Sequence, residues 1–472
     1  MGVDGLYRFI NKNFPDIYNT VNITEIKGKS CIIDGIQHIY SQLIYMRSRD
    51  KEVITLDGKN ISHIHGLINS LRYYLKNKII PIFIFDGKTP NIKIKKIEER
   101  RKNLKENLLK LKNLEEQKNN IDNYLNLLNN SNLIEKDEEI IFGTPPIEVI
   151  NIEEEEKIII KRNNLQNEYK QIYKKSIIMK NYYIEDWIEI LQYLGIPVIK
   201  APGEADPLCA FLLKNNPDIF GIISDDSDML IFGAQILMRK SVNQNFIIIE
   251  LKKILDKIEY LLLINYNKHI KFDIENLIDY SILLGTDYGV FKLNINCNDS
   301  LELLKYYVSN DKDYKKLISP DQYINFDIIK KYYMNQQFNN DYNEYLVRPK
   351  WNKPKFMELK KRLLELNVDE DYIDRNNEFF DLCYNRIKKN KFIFKNNYNN
   401  IYRIRSNSFD DNIKSHKNNK YFNIINDDHS KKIIKKTQNK KLSHINNNLE
   451  LPLINNDNNN DNNNIDIFYF ES

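Results

Sequence analysis

Three stretches of the chain are almost purely apolar, and each runs into carboxylates. Ser30–Asp34 reads SCIID, Ile79–Asp86 reads IIPIFIFD, and Ile219–Ile223 is followed at once by Ser224, Asp225, Asp226, Ser227 and Asp228. Short runs of this kind, without polar alternation, predict strands buried on both faces of a sheet. A further strand is expected at Ile196–Ile199, after a helix stopped by Gly195, and Asp206 then reads as a helix N-cap with Pro207 at the first helical position. From Asp273 the apolar residues Ile274, Leu277, Ile278 and Ile282 follow a helical period that Gly285 ends, just before Asp287. The fold class this predicts is α/β: a central, mostly parallel sheet flanked by helices.

Helical spacing returns between Lys102 and about Ile178, where Leu104, Leu108, Leu111, Leu114, Ile121, Leu125 and Leu128 recur every three or four residues. Asn129–Arg162 carries acidic and Asn-rich stretches and is expected to be mostly a mobile insertion. Tyr345 to about Lys391 again has helical spacing and is expected to pack back on the core. Beyond about Asn396, Asn, Lys and Asp dominate with little periodicity, which predicts a disordered tail.

The chemistry sits where the apolar runs stop. Asp34, Asp86, Glu204, Asp206, Asp226, Asp228 and Asp287 all fall at element ends, the place where open α/β sheets bind ligands. Each motif alone also reads as a cap or a polar turn. Seven carboxylates brought together would repel unless a cation joined them. Oxygen-only ligands favour Mg²⁺ or Mn²⁺ over zinc.

Composition adds limits rather than a function. The chain has 472 residues, 42% of them hydrophobic, and a net charge of only +5 from 70 Lys and Arg against 65 Asp and Glu. Binding to nucleic acid must therefore rest on local patches. Cys31, Cys209, Cys297 and Cys383 lack paired spacing, which suggests a reducing compartment and neither a disulfide framework nor a zinc ribbon. No apolar run approaches the ~20 residues of a membrane span and no secretory signal is evident, so a soluble, intracellular protein is expected.

The ordered motifs MGVDGLYRFI, CIIDGIQHIY, ISHIHG, FIFDGKTP, APGEAD, SDDSDMLIFGA and LLGTDY together resemble the flap endonuclease/XPG-type family of structure-specific 5′ nucleases. The resemblance covers roughly residues 1–101 and 179–288, and continues more weakly to about Phe380. It implies a PIN-like nuclease core, with region 1–101 and region 179–391 enclosing a helical arch at 102–178. A C-terminal helical DNA-binding region and a disordered tail at 392–472 complete it. It also implies two Mg²⁺ ions, with Mn²⁺ able to substitute. Asp34, Asp86, Glu204 and Asp206 would lie nearer one ion, and Asp226, Asp228 and Asp287 nearer the other. Two such ions roughly 4 Å apart can clamp a phosphodiester. Asp225 is the less favoured neighbour in its run.

Carried over in the same way, Lys93 and Arg100 fall where the family places a Lys and an Arg beside the scissile phosphate, with Arg101 competing for the second position. A solvated basic helix face is the alternative. Gly2, Tyr40, Arg47 and Arg101 would meet DNA. For Tyr40, stacking on a nucleotide and burial in the core both remain open. The implied substrate is branched DNA with a single-stranded 5′ flap, cut by a monomeric intracellular enzyme for which the resemblance implies the nucleus, a cytoplasmic replication site being the other option. A 5′–3′ exonuclease, a junction-resolving or repair-incision enzyme, and a noncatalytic scaffold are the competing readings.

Two stretches depart from the family. The run after Asp287, YGVFKLNINCNDSLELL, lacks the usual Gly-x-Gly, and Asn294 and Asn296 are the residues able to supply unusual backbone dihedrals there. Near the end, Asn462, Ile465, Phe468 and Tyr469 have the spacing of a sliding-clamp-binding box with Asn in place of Gln. Lys431–Lys441 reads as a nuclear address, a nonspecific nucleic-acid contact or background composition.

Overall fold

The computed structural model describes residues 3, 5–134, 152–240, 245–296, 299–336, 340–346 and 350–394. Gly2, Cys297, Lys431–Lys441 and the box residues Asn462, Ile465, Phe468 and Tyr469 lie outside the described residues, as does the tail beyond 394.

The apolar runs become the centre of a sheet. Its described strands are β1 (Asn19–Asn22), β2 (Ser30–Asp34), β3 (Ile80–Phe85), β4 (Val198–Lys200), β5 (Ile219–Ile223), β6 (Ile236–Lys240) and β7 (Asn245–Glu250), in the order β1-β7-β6-β5-β2-β3-β4. The five strands β6, β5, β2, β3 and β4 run parallel, whereas β7 joins β6 and β1 joins β7 antiparallel. The predicted strand at Ile196–Ile199 is thus shifted toward Lys200. Region 1–101 supplies β1–β3 and region 179–391 supplies β4–β7, so the two form one sheet.

Alternation along the strands sorts the core into two layers. Ile32, Ile82 and Ile84 face a large cluster that includes α1 (Leu6–Asn13), while Phe83 meets His38 of α2 (Gly35–Ser48), which also meets Tyr74 of α3 (Ser62–Lys76), and, later in the chain, Trp187 of α6 (Asn181–Tyr193). Trp187 of α6 is fully buried with its ring edge-on to Phe83, and its indole N–H donates to the His63 carbonyl at 2.9 Å. That satisfied N–H is what allows so large an amphipathic ring into the interior.

In chain order between β3 and α6 come the long helix α4 (Ile94–Ile134) and the return helix α5 (Ile152–Lys175), which pack against each other. Leu104, Leu111 and Leu114 of the predicted stripe are buried, and Arg162 is paired with Asp122. Residues 129–134 and 152–162 are helical, and the rest of the segment expected to be a mobile insertion, residues 135–151, lies outside the described residues. A stripe that has a partner helix forms structure that polarity alone does not predict.

After α7 (Ala205–Asn215) and the single turn α8 (Asp228–Ile231), the helices α9 (Leu251–Tyr266), α10 (Ile274–Leu284), α11 (Ser300–Ser309) and α12 (Tyr323–Gln336) extend the first layer. The helices α13 (Phe356–Glu365) and α14 (Glu370–Phe394) follow. Arg362 of α13 reaches Asp186 of α6 at 2.9 Å, and the Trp351 indole N–H donates to the Leu194 carbonyl at 2.7 Å. The stretch after Tyr345 thus does pack back on the core. These contacts all lie in the compact unit whose described part ends at Tyr384. Among the described residues no helix is long and apolar enough to cross a membrane.

Candidate active site

Parallel pairing puts the ends of β2, β3 and β5 on one edge of the sheet. Asp34 stands opposite Ile84 and Ile33 opposite Ile223, so Asp34, Asp86 and the Asp226–Asp228 turn emerge together. Asp34 caps α2, accepting from the Gln37 N–H at 3.2 Å. In the turn after β5 the Asp226 N–H donates to Ser224 Oγ at 3.0 Å, and the Asp228 N–H donates to Asp226 Oδ1 at 2.9 Å. These bonds aim the turn's carboxylates rather than leaving them to solvent.

A second set comes from α7, and here the expected cap is corrected. The N-cap is Glu204, not Asp206; Asp206 and Pro207 sit inside the first turn. Glu204 makes no side-chain cap, and the Ala205 N–H donates instead to Asp86 Oδ1 at 2.5 Å. An orphan helix amide thereby fixes a carboxylate from another strand. The two loops are clasped by the Gly87 N–H on the Gly203 carbonyl at 2.6 Å. A Cβ on Gly87 would lie 2.0 Å from the Ala201 carbonyl oxygen. Gly87→Ala is therefore expected to force the loops apart, lowering stability by about 1–3 kcal/mol and weakening any function that needs Asp86 beside Glu204. A chemical denaturation midpoint matching wild type at unchanged slope would refute this.

Two cations reach into the acids. Lys93, at the end of a short 3₁₀ turn, is ion-paired with Glu204 and stands 3.8 Å from Asp287. Arg100, buried on α4, donates from one terminal nitrogen to both Asp287 oxygens at 2.6 Å. The chain also supplies two residues the sequence did not single out: the hydroxyls of Tyr288 and Tyr332 each donate to Glu204 Oε2 at 2.7 Å. Tyr288 adjoins Asp287 in the LLGTDY run, which was an available signal. Tyr332 carries none.

Burial decides the electrostatics. Asp34, Glu204, Asp206, Asp226, Asp228 and Asp287 are buried, and Asp86 is partly so. Burial and then the Asp86 charge raise the Asp34 carboxyl well above its ordinary value; burial and then Asp226 do the same to Asp206 and Asp228. Burial also raises Asp226, and burial with Glu204 beside it pushes Asp86 up to about 6. Asp287 moves the other way: burial opposes its charge, but Lys93 and Arg100 prevail and hold it below the usual range.

Several expected contacts take another form. Tyr40 is 1% exposed, so its ring lies in the core and is not presented for stacking. The Arg47 guanidinium is committed to protein, donating to the carbonyls of Tyr173 and Ser176 at 2.9 Å and pairing with Glu52 at 3.1 Å. It anchors the end of α5 to α2. Arg101 is exposed, and it is Arg100 rather than Arg101 that α4 directs at the acids. Asp225 turns aside to Arg239 at 3.0 Å and to Gln37 at 3.2 Å. After Asp287, neither Asn294 nor Asn296 has a positive φ, so neither replaces glycine in that way; the Asn294 N–H donates to the Leu317 carbonyl at 2.7 Å, beside an isolated antiparallel bridge between Leu293 and Ile318.

The donor set suits a hard divalent cation. All donors are carboxylate oxygens, they raise one another's pKa values, and Asp228 Oδ1 is buried with no hydrogen-bond partner. Among the described residues, no group of three or more His, Cys, Asp or Glu already stands at ligating geometry. Of the acids, Glu204 and Asp287 are the two held by Lys93 and Arg100.

A pH prediction follows. Carboxyls raised in the folded state contribute stability that is present below their ordinary pKa and is lost as pH rises through the folded value. In chelator, the melting temperature is expected to fall from about pH 4 to above about 6, the window set by Asp86. Mg²⁺ should flatten the fall, and so should Asp86→Asn. Calorimetry across that range checks the sign; Asp287 opposes it, but five raised groups outweigh one.

Comparison with known proteins agrees on the region. Family models for the XPG N-terminal domain and the XPG I-region match residues 1–107 and 195–287. The chain is 29% identical over 326 residues to flap endonuclease 1 of Sulfolobus acidocaldarius, covering 66% of this chain and 77% of that protein. It is 26% identical over 353 residues to the Theileria parva protein of the same name, covering 74% of this chain but only 59% of that relative's length. Flap endonuclease-1 from Methanococcus jannaschii, a solved structure, aligns at a TM-score of 0.48 and 21% identity, over 80% of this chain and 99% of that one.

Proposed function

The chain belongs to the XPG-type flap endonuclease family, and we propose that it is a divalent-metal-dependent, structure-specific DNA endonuclease that hydrolyses phosphodiesters in branched DNA carrying a single-stranded 5′ flap. One observation carries the reading: buried carboxylates converge at the ends of parallel strands, with Lys93 and Arg100 held among them. A structural salt-bridge network would need only as many acids as cations. This one has more acids than two cations neutralise.

The acids that would hold the metal are Asp34, Asp86, Glu204, Asp206, Asp226, Asp228 and Asp287. Two Mg²⁺ ions, with Mn²⁺ as a substitute, would supply Lewis-acid stabilisation and a more acidic water. The protein's own part is otherwise. Burial excludes bulk water and strengthens each electrostatic contact. Lys93 and Arg100 bring N–H donors among the acids, where they would offset charge that develops on a phosphate oxygen. The Asp228 oxygen without a partner is an acceptor waiting for a cation or a water proton. α4, which carries Arg100 to the acids, pairs with α5, and these two helices would be the passage for a single strand. The C-terminal box at Asn462, Ile465, Phe468 and Tyr469 belongs to the same proposal as a sliding-clamp contact, and replication and repair DNA in the nucleus or at a cytoplasmic site as its setting.

The test is cleavage of end-labelled 5′-flap, blunt duplex, four-way junction and single-stranded RNA substrates with Mg²⁺, beside Asp226→Ala. Flap cutting that vanishes in the variant is expected. Binding without cutting would turn the assignment to a scaffold, and preference for RNA would turn it to an exoribonuclease.

A further inference from the structure

Glu204 is an N-cap residue that does not cap its helix. Its carboxylate is turned away from the α7 amides and is held by three donors: Lys93 on Oε1, and the hydroxyls of Tyr288 and Tyr332 on Oε2, both at 2.7 Å. Two phenols on one oxygen use its two lone pairs. Oε1, which the Lys93 ammonium holds, is then the oxygen that a divalent cation would take over.

The two phenols differ in origin. Tyr288 follows Asp287 directly, whereas Tyr332 arrives from α12, 128 residues beyond Glu204 and outside both family-matched stretches. α12 is in turn fixed to α10, because Lys330 pairs with Asp279 and Glu275, each at 2.9 Å. The Tyr332 ring packs 5.1 Å from that of Tyr288 and 6.1 Å from that of Phe232. Packing alone would be served by phenylalanine. The hydroxyl is the part that needs another explanation.

We propose that Tyr332 is a positioning residue: its hydroxyl locks the Glu204 carboxylate in the orientation that binds a divalent cation, and so makes metal binding depend on the seating of α12. The inference rests on the metal-dependent reading above and goes beyond it by naming a residue outside the acid motifs. A donor behind a ligating carboxylate restricts its rotamer and keeps its free oxygen aimed, and loss of such a partner typically weakens metal affinity by about 10–100-fold. Because Tyr288 remains on the same oxygen, the low end of that range applies.

The experiment is Mn²⁺ binding to the full-length, DNA-free protein by titration calorimetry, for wild type, Tyr332→Phe, Glu204→Gln and the double variant. Tyr332→Phe is expected to bind Mn²⁺ about 10-fold more weakly with an unchanged melting temperature in chelator. In flap cleavage the Mg²⁺ concentration for half-maximal rate should rise by a similar factor, more than kcat falls. In the Glu204→Gln background Tyr332→Phe should change nothing further. Unchanged Mn²⁺ affinity in Tyr332→Phe overturns the proposal, and so does an equal loss in the Glu204→Gln background, since the hydroxyl would not then act through Glu204. A wild type that binds Mn²⁺ but cuts no flap removes the nuclease reading and leaves the positioning role standing. A flap-cutting wild type whose Tyr332→Phe form binds Mn²⁺ equally well removes the positioning role alone.

Discussion

Asp226→Asn is expected to lower flap cleavage by at least about 10³-fold, because a carboxylate serving a metal cluster contributes several kcal/mol of transition-state stabilisation and each ~1.4 kcal/mol is a decade in rate. The choice of asparagine matters. Asp226 has a second task, accepting the Asp228 N–H in the turn after β5. Alanine would remove that acceptor and charge together, with a loss of about 0.5–1.5 kcal/mol for the hydrogen bond, whereas asparagine keeps an oxygen in place. Asp226 is also buried, with the Asp287 charge near enough to raise its pKa beyond what burial does. Removing one of several crowded like charges relieves repulsion. The inactive variant should therefore melt higher than wild type in chelator and gain less from Mg²⁺. Single-turnover cleavage and calorimetry on the same preparation check the pair of outcomes. An inactive variant that melts lower would mean that the turn, and not the charge, was lost.

How much of this could be read in advance depends on how local each interaction is. β2, β3 and β5 were legible because strands buried on both faces must be apolar throughout, and their terminal acids were legible as a set, since each alone also reads as a cap or a turn. β1, with the polar sequence NTVN, was not, since an edge strand is fixed by its pairing with β7 rather than by its own pattern. The cap at α7 was misread because Asp206-Pro207 obeys the local rule, while the true start is set one strand away, where Asp86 takes the Ala205 amide. Tyr40 and Arg47 share that lesson. Both sit on α2, and whether such a helix position faces solvent depends on what packs over it; here α5 supplies the carbonyls that occupy Arg47. Tyr332 was invisible for the strongest form of the same reason, since its partner is 128 residues away.

The second large effect is expected at Lys93 and Arg100. Lys93→Ala and Arg100→Ala should each lower kcat by about 10²–10³-fold, the range for removing one donor aimed at developing charge, with little change in KM for a flap whose binding spans many phosphates. Folding should respond differently at the two sites. Arg100 is buried against Asp287, so its removal partly strands a carboxylate inside the protein with only Lys93 left 3.8 Å away, and the loss should approach, without reaching, the about 3–5 kcal/mol of a fully uncompensated buried charge. Asp287→Asn combined with Arg100→Ala removes that stranded charge and should recover stability without recovering activity. Lys93 lies between two acids rather than serving one, and is itself driven further toward the charged state by Glu204 and Asp287 although burial opposes this. Lys93→Arg should therefore rescue little: a planar guanidinium cannot replace a compact ammonium between Glu204 and Asp287 without displacing the Tyr288 ring, which lies 5.5 Å from the Lys93 nitrogen. Rapid-quench cleavage at saturating flap separates these effects from binding. Recovery of kcat by Lys93→Arg would show that charge alone, and not its placement among the acids, is what the reaction uses.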